Sequence, residues 1–202
     1  NLIAEGLGKV YVIVITVWDE MTMGVMSGAF DAIIAGMSPT EERKATLDFS
    51  DPYRTNKLVV VVKKDSPYAS ATSLEELSGA TSTGQLNTFH YTVIDQIPGV
   101  NKAMAMETFP AMIVAVQSGA VDGYVAEEDG AQADTAANPD LTYIKFDEGK
   151  GFEASEADTS IAVGLAKGSD LLGPINEILA GIDDATRDEL MAGAKERQPL
   201  NQ

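Results

Sequence analysis

The sequence predicts an α/β protein of two lobes, and three observations carry that expectation. The segment Val25-Met-Ser-Gly-Ala-Phe-Asp-Ala-Ile-Ile-Ala35 returns later as Val116-Gln-Ser-Gly-Ala-Val-Asp-Gly-Tyr-Val-Ala126. Strand-like and helix-like apolar patterns alternate along the whole chain, the pattern of α/β architecture with mainly parallel pairing. Two β-branched runs, residues 58–62 and 160–165, flank a complete central set of elements and suit crossovers between lobes. The expected lobes are therefore residues 1–61 with 161–202, and residues 62–160. Each repeat reads as the end of an apolar helix, a Ser-Gly stop, an Asp and a short buried strand. Glycine suits the stop because it takes the left-handed conformation without a Cβ clash. Polar residues follow each strand: Gly36, Ser38, Thr40 and Arg43 in the first copy, Glu127 and Glu128 in the second. Ligands of open α/β sheets bind at that end of the strands, so a cleft between the lobes is the expected small-molecule site.

Taken in order, the first eight residues read as the second half of a helix ending at Gly6 or Gly8, as though the chain starts inside a fold. Residues 10–17 read as a strand, 20–26 as a helix weakened by Gly24, and 31–35 as a second strand. Ser38-Pro-Thr-Glu41 has the capping-box form, with Ser38 as cap and proline at the first helical position. Residues 58–62 form an unbroken β-branched run, expected to be a buried strand. Ser73-Leu-Glu-Glu76 repeats the capping-box pattern and Gly79 closes it. A strand over 81–85, a helix over 88–96 and a strand over 102–106 follow. Thr108 caps a helix with Pro110 in its first turn and apolar spacing at Met112, Ile113, Ala115 and Val116. Strands are expected at 123–126, 143–146 and 160–165, with a polar helix to about Ala137 and an acidic loop over 147–158. Helices over 171–182 and 185–195 end the chain.

Composition narrows the function. A formal charge of −17 opposes nucleic acid, whose binding depends on Lys and Arg neutralising phosphates, and an anionic membrane surface. No apolar run approaches the ~18 residues of a membrane span. The absence of cysteine removes disulfides, thiolate metal sites and cysteine nucleophiles. A single histidine opposes His-based metal sites and a Ser-His-Asp triad. The 147–158 loop lacks the spacing of a calcium motif, so neither metal nor cofactor is expected. His90, between Phe89 and Tyr91, reads first as a packed helix residue. Asp48, Ser50 and Asp51 read as a turn before Pro52.

The run Phe30-Asp-Ala-Ile-Ile-Ala-Gly-Met-Ser-Pro-Thr-Glu-Glu-Arg-Lys-Ala-Thr-Leu-Asp-Phe-Ser-Asp-Pro-Tyr53 resembles the signature of the family 3 extracellular solute-binding proteins, the polar amino-acid receptors of bacterial ABC importers. Trp18-Asp19, Gln85-Leu-Asn-Thr88 and Val116-Gln-Ser-Gly-Ala-Val-Asp122 support it in order, so the resemblance spans the chain. It implies the periplasmic-binding-protein-like type II fold: two α/β lobes, joined by two crossover strands, that close about a hinge. It implies that Arg43 clamps a ligand carboxylate as a bidentate pair, that Ser38 adds a hydroxyl and an amide there, and that the Gly36 carbonyl accepts from the ligand ammonium. Glu127, where Asp is commoner, takes the ammonium charge; Trp18 stacks on the ligand side chain; Thr88 sits in the turn over the carboxylate. The implied partners are a polar L-amino acid, glutamine or a basic one, and a membrane permease, with the receptor a monomer. The implied location is extracytoplasmic, either periplasmic or as a cell-surface lipoprotein.

The chain departs from that pattern in four places. The family's opening strand is missing. The helix after Trp18 reads Met21-Thr-Met-Gly-Val25, the usual turn glycine is Asn87, and a common contact threonine is Phe89. Two other functions stand beside capture for an importer. One is an enzyme resembling cyclohexadienyl dehydratases, with Glu127 or His90 as general acid. The other is the ligand-sensing part of a receptor.

Overall fold

The structure, a computed structural model, describes residues 2–196. The chain divides into two compact units, one comprising residues up to Thr55 with Ser155–Glu196, the other Asn56–Ala154. The divisions fall earlier than the 61/62 and 160/161 boundaries expected from the sequence, because the first crossover run belongs wholly to the sheet of the central unit. Residues 1 and 197–202, which that expectation assigns to the first lobe, lie outside the described residues.

In the terminal unit, β1 (Leu47–Phe49), β2 (Arg54–Thr55), β8 (Ser160–Ile161) and β9 (Gly164–Ala166) make two short antiparallel ladders, β1 with β9 and β2 with β8. The run expected as one strand over 160–165 is thus two, each with its own partner. Ile33 bridges Gly164 on the other side of β9, and this single bridge is what exists of the strand expected over 31–35. Val163, Leu165, Ile175 and Leu179 form a core with Ile3, Leu7 and Tyr53 packed against it. It seats the helix Leu172–Ala180. The N-terminal helix Leu2–Gly6 comes so close that a Cβ on Gly6 would meet the Ile178 side chain at 2.7 Å.

Residues 10–17 correct the sequence reading most sharply. They form no strand, and Val10, Val12, Ile13 and Ile15 are exposed, Val10 by 93% and Ile15 by 94%. A β-branched run favours extended backbone, but a strand also needs a neighbour to take its N–H and C=O groups. Among the described residues this run has no ladder partner.

The central unit is built on one five-stranded sheet. Its strands are β3 (Leu58–Lys63), β4 (Thr81–Thr83), β5 (Asn101–Lys102), β6 (Gly123–Glu127) and β7 (Leu141–Ile144), ordered β5-β4-β6-β3-β7. The β5/β4/β6 side is parallel and the β6/β3/β7 side antiparallel. The expectation of mainly parallel pairing fails here because β3 runs against both of its neighbours. Its five valine and leucine residues are buried because each face has its own cover. Leu58, Val60 and Val62 pack with Leu74, Leu77, Ile94 and Ile97, whereas Val59 and Val61 pack with Met112, Ala115, Val116 and Tyr124. Side chains alternate across a strand, so an unbroken apolar run marks a strand covered on both faces. Each such burial stabilises by roughly 1.5–3 kcal/mol.

The second repeat folds as read. Thr108 accepts the Ala111 N–H through its hydroxyl, proline stands in the first turn, and the helix Phe109–Ser118 stops at Gly119 with φ 77°. Gly123 is required by close approach, since a Cβ there would lie 2.8 Å from the Val61 carbonyl oxygen. The Asp of the repeat, Asp122, accepts the Thr81 amide at 2.8 Å and donates its own amide to the Thr81 carbonyl, tying β6 to β4. Ser73 starts no capping box. Glu76 instead accepts the Thr72 amide before the short turn Glu75–Leu77. In the acidic loop Ser155 and Asp158 form a full capping box for the helix Glu156–Thr159. The tail helix expected over 185–195 runs Asp184–Glu196.

Candidate functional site

In the terminal unit the sequence brings Trp18, Gly36, Ser38 and Arg43 onto loops and short helices. Trp18 opens a short turn, Trp18–Glu20, ahead of the helix Met21–Met26. Val25, Ile33, Met37 and Leu47 form the small core below, with half-buried Trp18 and Met21 against it. Met21 and Val25 therefore pack despite the departure in that helix. Arg43 sits on the one-turn helix Glu41–Lys44. Its Nη1 donates to the Ser38 carbonyl at 3.1 Å, and its guanidinium carbon lies 5.3 Å from the centre of the Trp18 ring, within cation–π range. Asp48, a few residues on, pairs with Lys167 at 2.9 Å.

The helix start differs from the sequence reading. Thr40, not Ser38, is the cap, accepting the Arg43 amide through its hydroxyl. Ser38 is buried at 2% exposure and donates its hydroxyl to the Asp158 carbonyl at 2.8 Å. Pro39 separates the two because it lacks an N–H and holds its own φ. Gly36 takes φ 72°, a conformation that disfavours any side chain. Its amide serves Tyr53, whose hydroxyl is pushed above the ordinary phenol range by burial and drawn back by that hydrogen bond. Tyr53 was not legible as a neighbour of Gly36; the Asp-Pro-Tyr end of the signature run was the only signal.

The central unit carries Thr88 and Glu127. Asn87 adopts φ 58° where glycine is usual, and asparagine tolerates the left-handed region better than most residues. The departure therefore preserves the turn. Thr88 precedes the helix Phe89–Thr92 without capping it through its side chain, and its hydroxyl donates to the Gln85 carbonyl at 2.8 Å. Glu127 ends β6 and begins the helix Glu128–Ala137, also without a side-chain cap. Its Oε1 lies 3.0 Å from Nε2 of His90, with the Glu127 side chain 19% and the His90 side chain 6% exposed. Phe89 stacks on His90 at 4.5 Å between ring centres and packs on the core of the unit. A Cβ on Gly84 would lie 2.9 Å from the His90 carbonyl carbon and oxygen, so glycine lets this helix rest against the end of β4. The sequence marked His90 as packed, and it is; its partner Glu127 was missed because nothing local joins the two.

Among the described residues no group of three or more His, Asp or Glu side chains is placed to hold a metal ion.

The comparisons with known proteins agree with this picture. The family model of bacterial extracellular solute-binding proteins, family 3, matches residues 1–193. A probable histidine-binding protein of Campylobacter jejuni is 29% identical over 188 residues, 92% of this chain and 68% of that protein. The arginine-binding extracellular protein ArtP of Bacillus subtilis is 28% identical, covering 83% of this chain and 63% of ArtP. The chain thus spans about two thirds of the length of these curated relatives. Among solved structures, an ancestral arginine-binding protein bound to glutamine matches with a TM-score of 0.78 and 29% identity, covering 95% of this chain and 83% of that one. The substrate-binding protein AbpA from Streptococcus pneumoniae, bound to L-arginine, matches with a TM-score of 0.80 and 25% identity, covering 96% and 80%. The α/β fold is that of type II periplasmic-binding-protein-like receptors. The chain belongs to the bacterial extracellular solute-binding proteins, family 3.

Proposed function

We propose that this protein captures a polar L-amino acid outside the cytoplasm and presents it, as a monomer, to the permease of an ABC importer. The observation that carries this reading is the guanidinium of Arg43, fixed by the Ser38 carbonyl and set beside the Trp18 ring. A planar, permanently charged fork beside an aromatic face suits a carboxylate with an adjoining side chain to stack. In this reading Arg43 and Ser38 take the ligand carboxylate, the Gly36 carbonyl and Glu127 its ammonium, Trp18 its side chain, and Thr88 lines the carboxylate end. Relatives described as histidine- and arginine-binding, and related structures holding arginine or glutamine, favour a basic amino acid or glutamine. No helix among the described residues is long and apolar enough to cross a membrane.

The test is a thermal-shift panel of the twenty amino acids. A ligand held only by the folded form adds about 2.7 kcal/mol at a hundredfold excess over its Kd. L-Arginine, L-histidine or L-glutamine should raise the melting temperature, and L-alanine should not. A panel with no response overturns the reading.

A further inference from the structure

The Ser38 hydroxyl carries one hydrogen, and that hydrogen is already placed. It goes to the Asp158 carbonyl at 2.8 Å, from a residue 2% exposed. A carbonyl only accepts, so the direction of this bond is fixed. A ligand carboxylate also only accepts. The hydroxyl therefore has no second hydrogen to offer it, and what Ser38 brings to a carboxylate is its backbone amide. The Ser38 carbonyl is engaged as well, taking the Thr40 amide at 3.0 Å and Nη1 of Arg43 at 3.1 Å.

The far end of the Ser38 bond is a helix of one turn, Glu156–Thr159. Carbonyls in the last turn of a helix have no partner within it, and Ser38 supplies one for Asp158. Four residues are too few for a helix to hold itself. Ser155 holds this one. Its hydroxyl accepts the Asp158 amide at 3.1 Å and donates to the Asp158 carboxylate at 2.7 Å, and that carboxylate also takes the Ser155 amide at 3.2 Å. Further bonds lay the chain ahead of Ser38 onto the residues that follow the helix. The Met37 carbonyl takes the Ala162 amide at 3.1 Å, and Ile33 and Gly164 exchange amide–carbonyl bonds at 2.8 and 3.0 Å. All of these residues lie in the terminal unit.

We propose that Ser155 and Ser38 are positioning residues for Arg43: the Ser155 cap sets the Asp158 carbonyl, that carbonyl anchors the Ser38 hydroxyl, and the Ser38 carbonyl aims the guanidinium at the ligand carboxylate. This rests on the reading of Arg43 as the carboxylate clamp. A bidentate pair needs both of its N–H groups in line, so a small shift of the Ser38 peptide costs affinity although the charge stays in place. Ser155 is exposed and makes no ligand contact in that reading, so its effect on affinity reports the relay alone.

Affinities for L-arginine and L-glutamine are measured on the full chain by isothermal titration calorimetry, with circular dichroism as the check on folding. Ser38→Ala should weaken binding about tenfold and Ser155→Ala about threefold, within the range of one lost hydrogen bond. Ser155→Thr keeps the capping hydroxyl and should bind as the parent does. The variant carrying both Ser38→Ala and Ser155→Ala should bind within about twofold of Ser38→Ala, because both changes break one relay and coupled sites are not additive. Parent-like affinity in Ser155→Ala, equal weakening by Ser155→Thr, or losses that multiply in the double variant overturn the proposal alone. The Ser155 variants decide it even where Ser38→Ala does not fold. A parent chain that binds neither amino acid, or Arg43→Ala binding as tightly as the parent, overturns the reading of Arg43 and the relay with it.

Discussion

Tyr124 donates its hydroxyl to Asp134 at 2.7 Å across the buried side of the central unit. Tyr124 is fully buried among Val59, Val61 and Met112, and its ring meets Phe109 edge-on at 6.1 Å. Burial raises the Asp134 carboxyl above its ordinary range and the Tyr124 bond pulls it back. The phenol itself is driven far up, first by burial and then by the facing carboxylate.

Removing that hydroxyl leaves a largely buried carboxylate without its donor. Tyr124→Phe should cost about 1–3 kcal/mol at neutral pH, measured from urea unfolding midpoints. A raised carboxyl pKa contributes stability below the unfolded value and loses it as pH rises through the folded value. The deficit should therefore shrink in acid, where Asp134 is protonated. Asp134→Asn keeps an acceptor without the charge and should be at least as stable as the parent at neutral pH.

Asp48 behaves in the opposite sense. The Gly168 amide at 2.7 Å, then Lys167 at 2.9 Å, hold its carboxyl below the ordinary range. That contribution is present above the unfolded carboxyl pKa and lost as pH falls through the lower folded one. Thermal midpoints recorded down through that acid window should fall more steeply for the parent than for Asp48→Asn.

Arg187 closes the end of the helix Leu172–Ala180. Its guanidinium donates to the carbonyls of Leu179 at 2.7 Å, Ile182 at 3.1 Å and Tyr53 at 3.2 Å. Helix ends leave carbonyls without partners, and a basic side chain can take them. Arg187→Ala should destabilise by roughly 1.5–3 kcal/mol. Arg187→Lys should recover little of it, because an ammonium cannot reproduce the fork. Calorimetric unfolding separates the three proteins.

Arg43→Ala should abolish amino-acid binding in isothermal titration while circular dichroism stays unchanged, since the side chain is only half-buried on a one-turn helix. Arg43→Lys should weaken binding at least about tenfold, the equivalent of 1.4 kcal/mol, because the planar fork is lost with the charge retained. Parent-like affinity in the alanine variant would remove Arg43 from the proposed site.

What was legible followed from local chemistry. Thr108, Pro110 and Gly119 mark both ends of their helix because caps and stops act within a turn. The five-residue apolar run of β3 reads as a buried strand because no solvent-facing alternation interrupts it. The Ser-Pro-Thr-Glu-Glu-Arg block carries the family in its order of residues. Arg43 and Glu127 could be named as candidates because each follows a repeated helix–strand unit. The cap shifted from Ser38 to Thr40 because Asp158, distant in the chain, claims the Ser38 hydroxyl.

By itself, then, the sequence determined where helices start and stop, which runs are apolar enough for the interior, and which family the chain belongs to. These depend on neighbours along the chain. Only the tertiary structure decided that residues 10–17 find no ladder partner among the described residues, that β3 runs against both neighbours, and that the one histidine rests against Glu127. A strand, a register and a close pair of side chains each need a partner that chain order does not specify.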